Sequence, residues 1–275
     1  IEAVRGKDAV DIFMLHPEGR VSDVQRRQMT TVLDSNVYNI AVKGTFDDCQ
    51  DLVKAMFNDP PFRSRHTLSA VNSINWARIV AQIVYYVTAA AELGAPDNEV
   101  AFSVPTGNFG NVFAGYAAKQ MGVPISQLLV ASNSNDILTR FFESGAMEMG
   151  DVYSTLSPSM DIQVSSNFER LLFELCDRDG AKVAAIMQSF RDTGRYEVAQ
   201  DQLDQALQLF NGARYDDDAT STEIKRHFEE TGILIDPHSA VALAAAREHR
   251  CDSSIPMVVI GTAHPAKFGE AVHNA

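Results

Sequence analysis

Val100-Ala101-Phe102-Ser103-Val104-Pro105, followed by Thr106-Gly107-Asn108-Phe109-Gly110-Asn111 and then Val112-Phe113-Ala114-Gly115-Tyr116-Ala117-Ala118, is the stretch that decides the fold. A nearly unbroken apolar run closed by proline reads as a strand buried on both faces, as in a parallel sheet. A short glycine-containing turn and an alanine-rich helix follow. Strand, turn and helix in that order are the building unit of α/β proteins, whose ligands bind at the carboxyl ends of the strands. Gly107 and Gly110 permit positive φ, which lets backbone N–H groups converge on one point. The helix start adds a dipole that favours an anion. Gly107, Asn108, Phe109, Gly110 and Asn111 are therefore a candidate phosphate cradle. The alternative is a strand–helix turn that merely needs glycine. No Lys-Ser/Thr pair follows, so this is not a P-loop, and the spacing is not G-x-G-x-x-G.

The same alternation extends in both directions. DIFMLHP (11–17) and VYNIAVKG (37–44) read as strands. Ser22 and Thr45 are placed to cap the helices SDVQRRQMTTVLD (22–34) and TFDDCQDLVKAMF (45–57), and Asp47 and Asp48 suit the second helix start. This βαβα order predicts a parallel sheet with right-handed crossovers. NDPPFRSR (58–65), with its two prolines, reads as a boundary between a smaller domain (1–65) and a larger one (66–275). NSINWARIVAQIVYYVTAAAELG (72–94) reads as a long helix, apolar on most sides and so expected to be buried on both. QLLVASN (127–133) and DILTRFFESG (136–145) form another strand and helix. Residues 150–232 are less regular, with a polar loop (155–167), amphipathic helices at 167–180, 182–194 and 222–232, and Asp216–Asp218 as a solvated acidic loop. A helix (236–249), a strand PMVVIG (256–261) and a terminal helix complete the pattern.

Composition excludes several function classes. The 275 residues carry 23 basic and 36 acidic side chains, a net charge of −13 with the basic residues scattered, so a nucleic-acid partner is not expected. Three cysteines supply no disulfide framework or metal-ligand spacing, and the odd count fits a reducing compartment. No apolar run reaches the ~18 residues of a membrane span. The N-terminal residues lack a secretory pattern. A cytoplasmic location is the expectation.

Four further clusters carry polar groups into apolar surroundings. Asn72, Ser73 and Asn75 open the long helix, and Arg78, three residues after Asn75, can share one face with it. An arginine there suits a carboxylate or phosphate, or else pairs with a structural acid. Ser165-Ser166-Asn167 reads as an ordinary helix cap. Thr262 and His264 follow the strand PMVVI; Thr262 is a candidate hydrogen-bond partner of a ligand, and His264 is a candidate base or a structural residue. Asp236-Pro237-His238-Ser239 reads as a cap with proline in the first helical turn.

These segments resemble threonine synthases. HPEGRVSDVQRRQMTTV, VNSINWARIVAQ, VPTGNFGNVFAGY, SNSNDILTRFF, TLSPSMDIQVSSNFERLLFE, DPHSAVALAAA and GTAHPAKF occur in the family's order and cover almost all of the chain. The resemblance implies the parallel-sheet, three-layer α/β fold of pyridoxal-phosphate enzymes of fold type II. It implies pyridoxal 5′-phosphate as cofactor and the conversion of O-phosphohomoserine and water to threonine and phosphate. By position, Gly107 to Asn111 match the family's cup for the cofactor phosphate, and Thr262 matches the partner of the pyridine nitrogen. A neutral hydroxyl there would leave that nitrogen unprotonated. Asn72, Ser73, Asn75 and Arg78 match the substrate wall.

One departure bears on activity. The family's Schiff-base lysine lies in a Phe-Lys-Asp context ahead of a Ser-Gly-Asp-Thr-Gly-Ser segment. None of Lys7, Lys43, Lys54, Lys119, Lys182, Lys225 and Lys267 lies in such a context. The expectation is thus a C-terminal part of the fold, inactive alone, with the N-terminal part as its partner and no catalytic residue of its own. A non-catalytic phosphate-binding module, or another lyase of the same fold type, is the alternative.

Overall fold

The computed structural model describes residues 1–19, 21, 23–44, 46–71 and 75–273. The caps expected at Ser22 and Thr45 lie outside the described residues. The chain divides into two compact units, Ile1–Ala70 and Val71–Ala275.

The first unit runs β1 (Ile12–Pro17), α1 (Asp23–Thr30), β2 (Val37–Val42), α2 (Phe46–Asn58) and α3 (Pro60–Arg65). β1 and β2 pair in parallel, from Ile12 opposite Val37 to Pro17 opposite Val42. The segment expected as a bare boundary contains α3. Asp59 caps it by accepting the N–H of Phe62 at 3.0 Å, and the prolines at its start need no hydrogen-bond acceptor there.

The second unit begins with α4 (Trp76–Glu92), β3 (Val100–Pro105), α5 (Gly110–Gln120), β4 (Ile125–Ser132), α6 (Ile137–Ser144) and β5 (Ala146–Glu148). It continues with α7 (Phe168–Leu175), α8 (Gly180–Thr193), β6 (Arg195–Glu197), α9 (Gln200–Leu207), β7 (Phe210–Arg214), α10 (Asp217–Thr231), α11 (Pro237–His249), β8 (Met257–Val259) and α12 (Gly269–His273). A parallel sheet in the order β7-β4-β3-β8 is its centre. β5 and β6 form a separate antiparallel pair.

Alternate residues of one strand enter two different cores, which makes three layers. Leu128 and Val130 of β4 pack with residues of α4, α5, α6 and α7, whereas Leu129 and Ala131 pack with Val241, Ala242 and Ala245 of α11. Both faces of β3 and β4 are therefore covered, as their apolar sequences require. The buried Ser103 fits this environment by donating to the carbonyl of Ala242 at 2.7 Å.

Two expectations are corrected here. α4 buries one stripe, Ile79, Ile83, Tyr86 and Ala90, at helical spacing. Val80, Val84, Tyr85 and Val87 on its other side are exposed, so it is not buried on both sides. Asp216 and Asp218 are solvent-exposed as expected, but the Asp216–Asp218 run is not a loop. It is the cap and first turn of α10, with Asp216 accepting the N–H of Ala219 at 2.9 Å, and three carboxylates there suit the helix dipole.

Candidate functional site

The turn between β3 and α5 is held from both ends. The N–H of Thr106 bonds the carbonyl of Ala131 at 2.9 Å, extending the sheet by one residue. The Thr106 hydroxyl then accepts the N–H of Phe109 at 3.2 Å. Phe109, the residue before the first turn of α5, has φ 60° and ψ 1°. A non-glycine residue in this left-handed region costs about 1–2 kcal/mol. Its ring is fully buried, 5.0 Å from that of Phe168 and 5.7 Å from that of Phe210, and that packing keeps the backbone there. The reversal aims the first turn of α5 back over the strand end. The N–H groups of Gly110, Asn111 and Val112 in that turn have no acceptor within the helix.

The expected reason for the glycines is thereby corrected. Neither Gly107 nor Gly110 has positive φ. Gly107 is needed for space, because a Cβ there would lie 3.0 Å from the Cα of Met160 and 3.0 Å from Cγ1 of Ile162. Gly115 serves a different contact: a Cβ there would come within 2.7 Å of the Tyr86 ring. Tyr86 is fully buried and its hydroxyl donates to the carbonyl of Asn111 at 2.8 Å, with Asn111 Oδ1 at 3.0 Å. Burial pushes that phenol far above its ordinary pKa, so it acts as a neutral donor.

A second segment is strapped to the turn. Asn108 accepts the N–H of Ser166 on Oδ1 at 3.1 Å and the N–H of Asn167 on its carbonyl at 3.2 Å. Asn167 makes no side-chain cap on α7, contrary to expectation, and its Oδ1 instead receives Nε of Arg170 at 3.2 Å. The Arg170 guanidinium lies 5.4 Å from the centroid of the Trp76 ring. The hydroxyl of Ser165 is buried and has no hydrogen-bond partner, as is that of Ser132 at the carboxyl end of β4. An unpaired buried hydroxyl next to a strand-end turn is what a bound ligand would satisfy.

Thr262 leaves the same edge of the sheet. β8 lies beside β3 with Val259 opposite Ser103, and the N–H of Ile260 bonds the carbonyl of Ser103 at 3.0 Å. Thr262 is exposed three residues beyond β8. His264 is also exposed, and its Nδ1 accepts the N–H of Ala266 at 3.2 Å as a cap, the structural role of the two considered for it. Asn75 caps α4, its Oδ1 accepting the N–H of Ala77 at 2.9 Å, and Arg78 is exposed in the first turn. Asn72 and Ser73 lie outside the described residues.

One part of the site is not signalled by any periodic pattern. At the end of β4 the buried Asn133 donates to Thr155 Oγ1 at 2.8 Å and to Asp161 Oδ1 at 2.7 Å. Asn135 joins through Tyr153, donating to its carbonyl at 2.9 Å and accepting its N–H at 2.8 Å. Asp217, from the acidic run, accepts the N–H of Leu156 at 3.0 Å. This network holds the loop that places Met160 and Ile162 against Gly107. Its signal was the density of Asn, Ser and Asp in SNSND and TLSPSMD.

The turn, the open N–H groups at the start of α5 and the unpaired Ser165 hydroxyl fit the phosphate group of pyridoxal phosphate, the cofactor implied by the sequence resemblance. Among the described residues no cluster of His, Cys, Asp and Glu suits a metal ion, and no helix is long and apolar enough to cross a membrane.

Comparison with known proteins bears on the whole chain. The family model described as "Threonine synthase, C-terminal" matches residues 239–275. A threonine synthase of Pseudomonas aeruginosa is 54% identical over all of this chain, which covers 59% of that protein. A crystal structure described as PLP-bound threonine synthase from Brucella melitensis superposes with a TM-score of 0.94 at 54% identity, covering all of this chain and 59% of that one. Yeast threonine synthase superposes with a TM-score of 0.90 at 44% identity, covering all of this chain and 57% of that one. A serine racemase from Dictyostelium discoideum, 15% identical with a TM-score of 0.59, shares the fold alone. The chain spans about three-fifths of the length of the curated relatives it matches.

Proposed function

The chain resembles threonine synthases along its whole length, and from that premise we propose that it builds the cofactor pocket and part of the substrate wall of a pyridoxal-phosphate-dependent lyase. The overall reaction is the conversion of O-phosphohomoserine and water to threonine and phosphate. The observation that carries this reading is the left-handed Phe109, which turns the open N–H groups of α5 onto the end of a buried parallel strand. Gly107 to Asn111 form the cradle for the cofactor phosphate, held by the open N–H groups of Gly110 and Asn111 and assisted by the Ser165 hydroxyl. Thr262 meets the ring nitrogen as a neutral partner. When bound, pyridoxal phosphate supplies the electron sink that acidifies carbon next to the substrate amine. Asn72, Ser73, Asn75 and Arg78 contact the substrate, with Arg78 a cation for its phosphate or carboxylate. The α5 dipole and this arginine let a chain of net charge −13 accept a dianion.

No lysine of the chain lies in the family's Schiff-base context, so these 275 residues bind without turnover. The test is a titration followed by absorbance and fluorescence. Pyridoxal 5′-phosphate binds, inorganic phosphate competes, and pyridoxal, which lacks the phosphate, binds far more weakly. Equal affinity for pyridoxal and its phosphate sinks the cradle. Phosphate release from O-phosphohomoserine above background sinks the claim of no turnover.

A further inference from the structure

We infer that His238 is a positioning residue for the phosphate-binding turn: its neutral Nδ1–H tautomer fixes the Pro158–Met160 turn against which Gly107 closes. The inference rests on the cofactor site proposed above. It starts from a buried group outside that site. Asp236, at the N-terminus of α11, is 1% exposed and His238 is 4% exposed. Asp236 Oδ1 lies 2.9 Å from His238 Nδ1, and Asp236 Oδ2 accepts the hydroxyl of Ser239 at 2.5 Å. Burial pushes the Asp236 carboxyl up, but hydrogen bonds from His238 and Ser239 outweigh it and leave its pKa below the ordinary value. An ionised carboxylate only accepts, so His238 Nδ1 carries the proton.

The other ring nitrogen settles the charge. His238 Nε2 lies 3.3 Å from the backbone N–H of Ser159, which only donates. Nε2 must therefore be the acceptor, and an imidazolium would set two donors against each other. The far side of the ring is covered by Phe268, with centroids 4.8 Å apart. His238 thus stands between two segments. Ser159 is followed by Met160, whose Cα would lie only 3.0 Å from a Cβ on Gly107. Phe268 belongs to the stretch that follows Thr262. A shift of the ring changes the support of both cofactor-facing segments, although His238 touches neither the cradle nor Thr262 in the bonds described.

Two near-isosteric substitutions separate the roles of the two nitrogens. An asparagine amide reaches about the position of Nδ1, so His238→Asn retains a donor to Asp236 and loses the acceptor for Ser159. A glutamine amide reaches about the position of Nε2, so His238→Gln retains that acceptor. Both lose the ring packing on Phe268, which cancels in the comparison. Amide hydrogen exchange is measured on the 275-residue chain, with the tautomer read from long-range proton–nitrogen correlations of labelled histidine. Pyridoxal 5′-phosphate is then titrated into each protein. The expected result is Ser159 exchange about tenfold faster in H238N than in wild type, the effect of losing one ordinary hydrogen bond, and near wild type in H238Q. Cofactor affinity falls in the same order. Equal Ser159 exchange in the two variants, or an Nε2–H tautomer, overturns the inference. A difference in exchange with equal affinities overturns its link to the cradle. If wild type takes up no pyridoxal phosphate while exchange follows the expected order, His238 still fixes the turn, and the cofactor reading fails instead.

Discussion

Phe109 offers a test whose sign depends on the backbone. Truncating this fully buried ring to alanine removes its contacts with Phe168, Phe142 and Phe210. Phe→Ala in a packed core costs about 3–5 kcal/mol. Alanine also keeps the left-handed penalty of about 1–2 kcal/mol, because φ stays at 60° while Thr106 and Asn108 hold the turn. Phe109→Gly loses the same ring but escapes that penalty, at an entropic cost of about 0.5–1 kcal/mol. Taken at the middle of each range, the difference leaves F109G more stable than F109A by about 0.75 kcal/mol. In a helix or strand the order would be reversed. Urea unfolding of the two variants, followed by near-ultraviolet circular dichroism, measures the order of midpoints directly. F109A equal to or more stable than F109G refutes the left-handed lock, and with it the geometry of the cradle. A loss below about 1 kcal/mol in both variants refutes the packing account.

Ser165→Ala is expected to leave the unfolding midpoint unchanged or raise it, since an unpaired buried hydroxyl costs about 1–3 kcal/mol. The same variant weakens pyridoxal phosphate binding in the titration; unchanged binding removes Ser165 from the cradle. Gly107→Ala is expected to destabilise by about 1–3 kcal/mol, because the obstacle is the Met160 backbone rather than a flexible side-chain end. A neutral result in thermal melts refutes the close approach. The depressed pKa of Asp236 fixes a sign for acid stability. Its contribution is present above its unfolded value, near 3.8, and is lost as pH falls through the lower folded value. Wild type should therefore lose more stability than Asp236→Asn below about pH 4, and parallel acid limbs would show that Asp236 is not held ionised.

The sequence alone determined the central strands β3 and β4, the strand β8 and the turn after β3 as the candidate ligand site, whereas β7, which completes the sheet, carried no strand signal. Apolar runs at Val100–Pro105 and Ile125–Ser132 require cover on both faces. The turn after the first of them contains glycine and opens a helix, so local chemistry makes it a candidate anion site. Where the reading went astray, the deciding partner was distant in the chain. The cradle's left-handed residue is Phe109 rather than a glycine, because rings from α6, α7 and β7 hold it there. The Ser165–Asn167 segment gives up a helix cap for Asn108, 58 residues away. Asp217 leaves the solvated face to accept a bond from Leu156, 61 residues away. The tautomer of His238 depends on Ser159, 79 residues away. Periodicity and capping report what a residue offers to its neighbours along the chain. A buried polar group takes whichever partner the packed layers bring to it, since leaving it unpaired costs more than any local preference gains.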